Sequence, residues 1–221
     1  MNTNYLGYEH PAVAVDICIF TVDSDRLKVM LVKRAGEPFA ACWSLPGGFL
    51  KMDESLEDAA MRVLHEKTSV GDVYLEQLYT FGAPERDPRA RVITVAYFAL
   101  IPWKKLTQPG SDKVADLTWA SMHHLPRLAF DHKQILQYAI RRLQAKAGYS
   151  NIIYALLPEQ FRLSELQAMY EAILNHKLDK RNFRKRILAT GLLQETGRKE
   201  IAGAHRPAML YKFRKKEIAF F

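Results

Sequence analysis

Cysteine is scarce: Cys18 and Cys42 are the only two in 221 residues, and both lie in or beside apolar, strand-like runs. That excludes a disulfide framework and leaves no thiolate set for zinc, so both thiols are expected to be buried and inert. Apolar runs of membrane-spanning length are missing, as is a charged-then-apolar leader, so the expectation is a cytoplasmic protein with no membrane partner. An excess of either charge is missing from the first two-thirds, where residues 1–149 hold 18 Lys and Arg against 17 Asp and Glu. The net charge of +8 is therefore concentrated in residues 150–221, with 14 basic and 7 acidic side chains. Such asymmetry suggests a nucleic-acid-binding module attached to a near-neutral one, with a solvated basic surface as the competing reading.

A third shortage is local. Trp43-Ser44-Leu45-Pro46-Gly47-Gly48-Phe49 reads as a strand edge running into a glycine-rich turn, where backbone can approach a ligand closely. A helix should follow, capped by Ser55 with Asp58 three residues on, and with Leu56, Ala60, Val63, Leu64 and Val70 as its buried stripe. Gly48, Glu54, Arg62, Leu64, Glu66 and Val70 keep the spacing of the Nudix box, G-x5-E-x7-R-E-U-x-E-E-x-G-U, where U is a bulky aliphatic. The glutamate after Arg62 is Val63, the second of the E-E pair is Lys67, and the late glycine is Ser69. Positions 63, 66 and 67 share one helix face, where three glutamates would converge on magnesium, a cation that wants oxygen ligands. Valine has no lone pair to give. Lysine puts a positive charge where the cation belongs, a repulsion of ~4 kcal/mol per unit of metal charge at ~4 Å and an effective dielectric of ~20. Glu66 is expected to pair with Arg62 or another neighbouring base. An ordinary amphipathic helix after a glycine-rich turn is the plainer alternative.

Around this segment strands and helices alternate. Val13–Val22 and Leu27–Arg34 read as paired strands joined by turn chemistry at Asp23–Arg26; Val73–Phe81, Val92–Trp103 and Asp116–Ala120 read as further strands. Asp131 is placed as the cap of a long helix to about Lys146, stopped by Gly148-Tyr149-Ser150. There the domain boundary is set, giving 1–149 and 150–221.

The final third reads as helix, turn, helix, hairpin, the order of a winged helix-turn-helix. Ser164 and Gln167 are taken as a capping box opening the first helix, and Asp179 caps the second, Lys180–Thr190, closed by Gly191. A hairpin follows, Leu192–Thr196 and Ala208–Phe213, with its turn through Gly197–Arg206. On the second helix Lys180, Arg181, Asn182, Arg184, Lys185 and Arg186 fall within seven residues, above a stripe of Phe183, Ile187 and Leu188. Arg and Lys reach phosphates or guanine edges, and Asn pairs adenine. Arg198, Lys199, His205 and Arg206 at the hairpin tip suit a wing on the DNA backbone or minor groove. Aromatic interleaving of the kind used for single strands is absent, which favours duplex DNA. A basic helix pair that contacts protein is the alternative.

Trp43–Phe49, the degenerate box, Arg86-Asp87-Pro88-Arg89, Ala129-Phe130-Asp131-His132, Asn182-Phe183-Arg184 and Gly203–Tyr211 together resemble the Nudix-related regulators of NAD metabolism, the NrtR family. The resemblance covers essentially the whole chain. It implies an α+β protein: a Nudix domain, a mixed-sheet α/β/α sandwich, followed by a winged helix-turn-helix. It further implies a homodimer on a palindromic operator, repressing genes of NAD biosynthesis or salvage and released by ADP-ribose or a related nucleotide, with no cofactor required. The residues themselves suit a phosphate–sugar–base ligand. Arg86 and Arg89 sit in a proline-bounded loop suited to diphosphate, with Asp87 between them as a further candidate of the effector site. Arg34 ends a strand facing the glycine turn; Trp43, Phe49 and Phe130 are placed to stack on a base, and His132 to hydrogen-bond. The plainer roles are core packing for Trp43 and Phe130, helix-start bonds for His132, and an Arg86–Asp87 pair. Two other functions stay open: an active pyrophosphatase, with Glu54, Glu66 and a carboxylate such as Glu85 gathering Mg2+, and a regulator answering to a sugar such as arabinose.

Overall fold

The run from Val13 to Val22 has no polar face, and both its faces are covered. The computed structural model describes residues 9–71, 73–106, 117–200 and 207–221. Strand β1 (Ala12–Asp23) turns tightly into β2 (Arg26–Lys33), with Ser24 and Asp25 both at positive φ, 50° and 59°, as a two-residue hairpin turn requires. Two short strands follow, β3 (Trp43–Ser44) and β4 (Gly47–Phe49), then helix α1 (Leu56–Thr68), β5 (Tyr74–Phe81), β6 (Val92–Leu100), a single turn α2 (Trp103–Leu106), β7 (Leu117–Ser121) and the long α3 (His132–Tyr149). The strands form one mixed sheet ordered β3-β2-β1-β6-β5, with β4 on β1 and β7 on β2; among the described strand pairs only β1 and β6 run parallel. Alternate residues of β1 serve two cores. Val15, Ile17 and Ile19 meet Ala60, Val63 and Leu64 of α1, while Cys18, Phe20 and Val22 join the apolar cluster that takes in Ile135, Ala139 and Leu143 of α3.

The second core continues without a break through a 3-10 turn (Ile152–Leu156) into the final third. There β8 (Phe161–Arg162), α4 (Leu163–Leu174), α5 (Lys180–Ala189), β9 (Leu193–Glu200) and β10 (Ala208–Phe213) build a winged helix, with a sheet ordered β8-β10-β9. Leu166, Tyr170, Ile187 and Tyr211 are its buried anchors.

Several local expectations are corrected. Gly47 and Gly48 are not in an open turn but in β4, paired with Asp16 and Val15. Helix α4 starts one residue before Ser164: Glu165 accepts the Arg162 backbone N–H at 2.7 Å, and Gln167 turns instead to Glu171 and the Leu178 carbonyl. Asp131 stands at the head of α3 without capping it, because Arg86 claims its carboxylate. Leu188 is exposed, leaving Phe183 and Ile187 as the inward side of α5. Strand β6 stops at Leu100, and α3 runs past Lys146 to Tyr149. Strand β9 extends through Gly197 to Glu200, so Arg198 and Lys199 lie on strand rather than turn; His205 and Arg206 fall outside the described residues.

Candidate functional site

Where β1, β2, β4 and the segment before α3 meet, they enclose an open cavity of about 310 Å³, within the size range of small-molecule sites. Its floor is a buried ionic cluster. The Arg86 guanidinium donates to both Asp131 oxygens, at 2.9 Å from Nε and 2.8 Å from Nη2, and lies 3.4 Å from Asp16. The Leu45 N–H donates to His132 Nδ1 at 2.9 Å, so the neutral ring carries its proton on Nε2, 3.5 Å from Asp16 Oδ1. Burial holds the His132 imidazole below its ordinary value, against the opposing pull of Asp16 and Asp131. Gly47 closes the floor: a Cβ there would stand 2.3 Å from Asp16 Oδ1 and 2.8 Å from the Val15 carbonyl oxygen. No side chain fits, which is why glycine occupies a strand position.

The rim is aromatic and cationic. Phe130, held at φ 52°, has the Arg34 and Arg89 guanidinium carbons 4.7 and 5.6 Å from its ring centroid, and meets Phe39 edge-on. Half-exposed Phe49 also lines the cavity, its ring centroid 5.8 Å from the Arg89 guanidinium carbon. Arg89 is tied to Asp87, whose carboxyl is held below its ordinary value chiefly by that bond. Of the lining cations, Arg86 and Arg89 thus have carboxylate partners. The side chains of Lys33 and Lys67 have no hydrogen bond or ion pair among the described residues, and the Arg34 side chain spends only its Nε, on the Pro38 carbonyl. The cavity therefore holds uncompensated positive charge beside stacking surfaces, suited to an anion carrying a planar group.

The box helix binds the loop rather than a metal. Arg62 donates twice to Glu54, at 2.9 and 2.6 Å, and also to the Phe49 carbonyl, so the β4 end is pinned to α1. This bond, first among several causes, pulls the Glu54 carboxyl down to about 2. Glu66 is half exposed and reaches only Arg62, at 3.4 Å. Val63 is sealed in the α1 core beneath Gly48, where an added Cβ would lie 3.2 Å from its Cγ2. Magnesium, which the Nudix fold implies, does not fit this set: one position is hydrocarbon, one is an ammonium facing the cavity, and Glu54 is taken by Arg62. Among the described residues no group of three or more His, Cys, Asp or Glu is arranged to hold a metal ion.

The sequence-nominated residues divide accordingly. Arg34, Phe49, Arg86, Asp87, Arg89, Phe130 and His132 come together at the cavity. Trp43 does not; its ring packs on the α3-side core. Asp16, Lys33 and Phe39 were missed. Asp16 sits inside an apolar run, and that lone acid was the signal that could have found it.

In the winged helix, Asp179 caps α5 by accepting the Asn182 N–H at 2.8 Å. Phe183 and Ile187 face inward, which leaves Lys180, Arg181, Asn182, Arg184 and Lys185 exposed, with Arg198 and Lys199 exposed on β9. The Tyr211 hydroxyl of β10 donates to Glu195 at 3.0 Å.

Both parts of the chain have counterparts among known proteins. Residues 10–143 match the NUDIX domain and residues 153–213 the NrtR DNA-binding winged helix domain. Over 217 residues the chain is 41% identical to the ADPR responsive transcriptional repressor of Acinetobacter baylyi, covering 96% of this chain and 86% of the relative. The chain belongs to the NrtR family. The Shewanella oneidensis NrtR complexed with a 27mer DNA is similar at TM-score 0.82 and 40% identity, over 91% of this chain and 93% of that one. The NUDIX domain of the same NrtR, complexed with ADP ribose, is similar at TM-score 0.56 and 39% identity, over 64% and 94%. The first domain also resembles an enzyme: the ADP-ribose pyrophosphatase of Methanocaldococcus jannaschii is 35% identical over 137 residues, 62% of this chain and 78% of the relative. Against that likeness, this NrtR family member carries Val63 and Lys67 in its box.

Proposed function

We propose that this chain is a transcriptional repressor that releases its DNA when ADP-ribose fills the Nudix cavity. One observation carries the reading: a cavity with uncompensated cations and aromatic walls shares a chain, and a continuous core, with an exposed basic recognition helix. Residues 1–149 act as the sensor and 150–221 as the reader, in a cytoplasmic homodimer on a palindromic operator near genes of NAD biosynthesis or salvage. Helix α3 is the physical link. Its first residue, His132, lines the cavity, Asp131 just before it holds Arg86, and the helix is about 27 Å long. Its far half donates from Gln144 to the Ile173 carbonyl of α4, and its Gly148 carbonyl accepts from Arg186 of α5. An effector that re-seats Arg86 on its phosphates shifts the head of α3, and the shift is felt at α5. The size of the response is limited by the difference in effector affinity between DNA-bound and free arrangements.

The test is an electrophoretic mobility shift on DNA upstream of NAD genes, with ADP-ribose titrated in. Release by ADP-ribose but not by ribose or arabinose supports the reading; release by a neutral sugar alone replaces it. The likeness to the Methanocaldococcus jannaschii enzyme favours a second reading, a pyrophosphatase. Incubation with ADP-ribose and Mg2+ or Mn2+ decides it, since rapid AMP formation at low protein concentration contradicts a sensor that keeps its effector intact.

A further inference from the structure

Lys67 occupies a box position that should be a metal-ligating glutamate, yet it does not turn away to solvent: it lines the cavity beside Gly48, Phe49 and Arg89. It stands in the last turn of α1, where the helix's own carbonyl end favours a cation. No carboxylate among the described residues neutralises it, although Glu66 is its chain neighbour. Val63, one turn back, is buried hydrocarbon and offers nothing polar. A diphosphate seated where the fold expects a metal-bound one therefore meets an ammonium.

We propose that the Lys67 ammonium takes the place of the metal ion in holding the effector's diphosphate, so that effector binding by this chain needs no divalent cation. This rests on the reading of ADP-ribose as effector. Lysine is a compact point charge with three rotatable donors, able to bridge oxygens of both phosphates. Unlike a hydrated divalent ion it brings no coordinated water to be activated as a nucleophile. The same substitution that gives binding without a cofactor thus also protects the signal from being hydrolysed.

Calorimetric titration of the full chain with ADP-ribose, in EDTA and in Mg2+, tests this. The unaltered protein is expected to bind equally in both, within about twofold. Lys67→Met should lose about 10- to 100-fold in affinity, the range of a charge-assisted bond, while Lys67→Arg keeps most of it. Lys67→Glu, which sets a carboxylate against the phosphates, should bind more weakly still in EDTA. Melting temperature checks folding; position 67 is only half buried, and the methionine and arginine variants give two independent readings. If the unaltered protein takes up no ADP-ribose in either buffer, both this proposal and the effector reading fall. If it binds only with Mg2+, or if Lys67→Met binds as tightly as the unaltered chain, this proposal alone falls.

Discussion

Replacing Gly47 with alanine puts the floor of the cavity to a quantitative test. The added methyl carbon would sit 2.3 Å from a carboxylate oxygen of Asp16 and 2.8 Å from the Val15 carbonyl oxygen. The side-chain oxygen can swing aside; the backbone oxygen cannot, because Val15 is locked between β4 and β6. Overpacking a tight site costs ~1–3 kcal/mol, and a backbone obstacle places this case in the upper part, at about 2–3 kcal/mol. For a chain of this size that lowers the melting temperature by about 4–12 °C. The displaced Asp16 carboxylate also leaves Arg86 and turns into the cavity, so ADP-ribose affinity should fall about tenfold or more, equivalent to ~1.4 kcal/mol. Gly148→Ala is the matched control. Nothing lies within 4 Å of its added Cβ, and the same change within a helix stabilises by ~0.5–1 kcal/mol. Differential scanning fluorimetry and titration calorimetry read both variants. In an Asp16→Ala background the cost of Gly47→Ala should shrink by about 1 kcal/mol, since one of its two obstacles is gone. A Gly47→Ala protein that melts within about 1 °C of the unaltered chain and binds ADP-ribose as well refutes the account of the floor.

Ser69→Gly should raise the melting temperature by about 2–4 °C, because Ser69 ends α1 in the left-handed region at φ 55°, which costs a side-chain-bearing residue ~1 kcal/mol or more; no change in a melting scan would contradict this. His132 is expected to give the fold an acid limit. Its folded value lies below the ordinary ~6.5, so the unfolded chain takes up a proton first. Stability should therefore decline as pH falls below about 6.5 and level off below the folded value; melting curves from pH 8 to 5 should show a shallower decline for His132→Asn. Arg184→Ala should weaken operator affinity by ~1–3 kcal/mol and blur sequence preference, whereas Lys199→Ala should weaken all sequences alike and reduce the salt slope by about one. Fluorescence anisotropy across salt concentrations separates the two, and unchanged binding by both variants removes α5 and β9 from the DNA interface.

Much of this chain was written locally. The box spacing, the Ser55 and Asp179 caps, the turn between the first two strands and the buried run from Val13 to Val22 each depend on neighbours within a few residues, and each is found as read. The misread caps share a cause: Asp131 and Ser164 are good capping types, but a partner distant in sequence or one residue earlier outbid them. Arg86, 45 residues from Asp131, holds that carboxylate, and Glu165 sets the start of α4 one residue early. Trp43 was a candidate to stack on a base with core packing as its plainer role, and it packs on the core.

The sequence by itself determined that a Nudix scaffold had lost two of its three metal-ligand positions on the box helix and carried a basic winged helix, because a missing carboxylate and a charge imbalance are facts of composition. Only the tertiary structure decided what the replacements do. Val63 became core and Lys67 became cavity wall through their facing on α1 against β4, and Asp16 entered the site because β1 passes beneath Gly47. Side-chain type is a local property, whereas the direction in which a side chain faces is set by strands that meet from opposite ends of the domain.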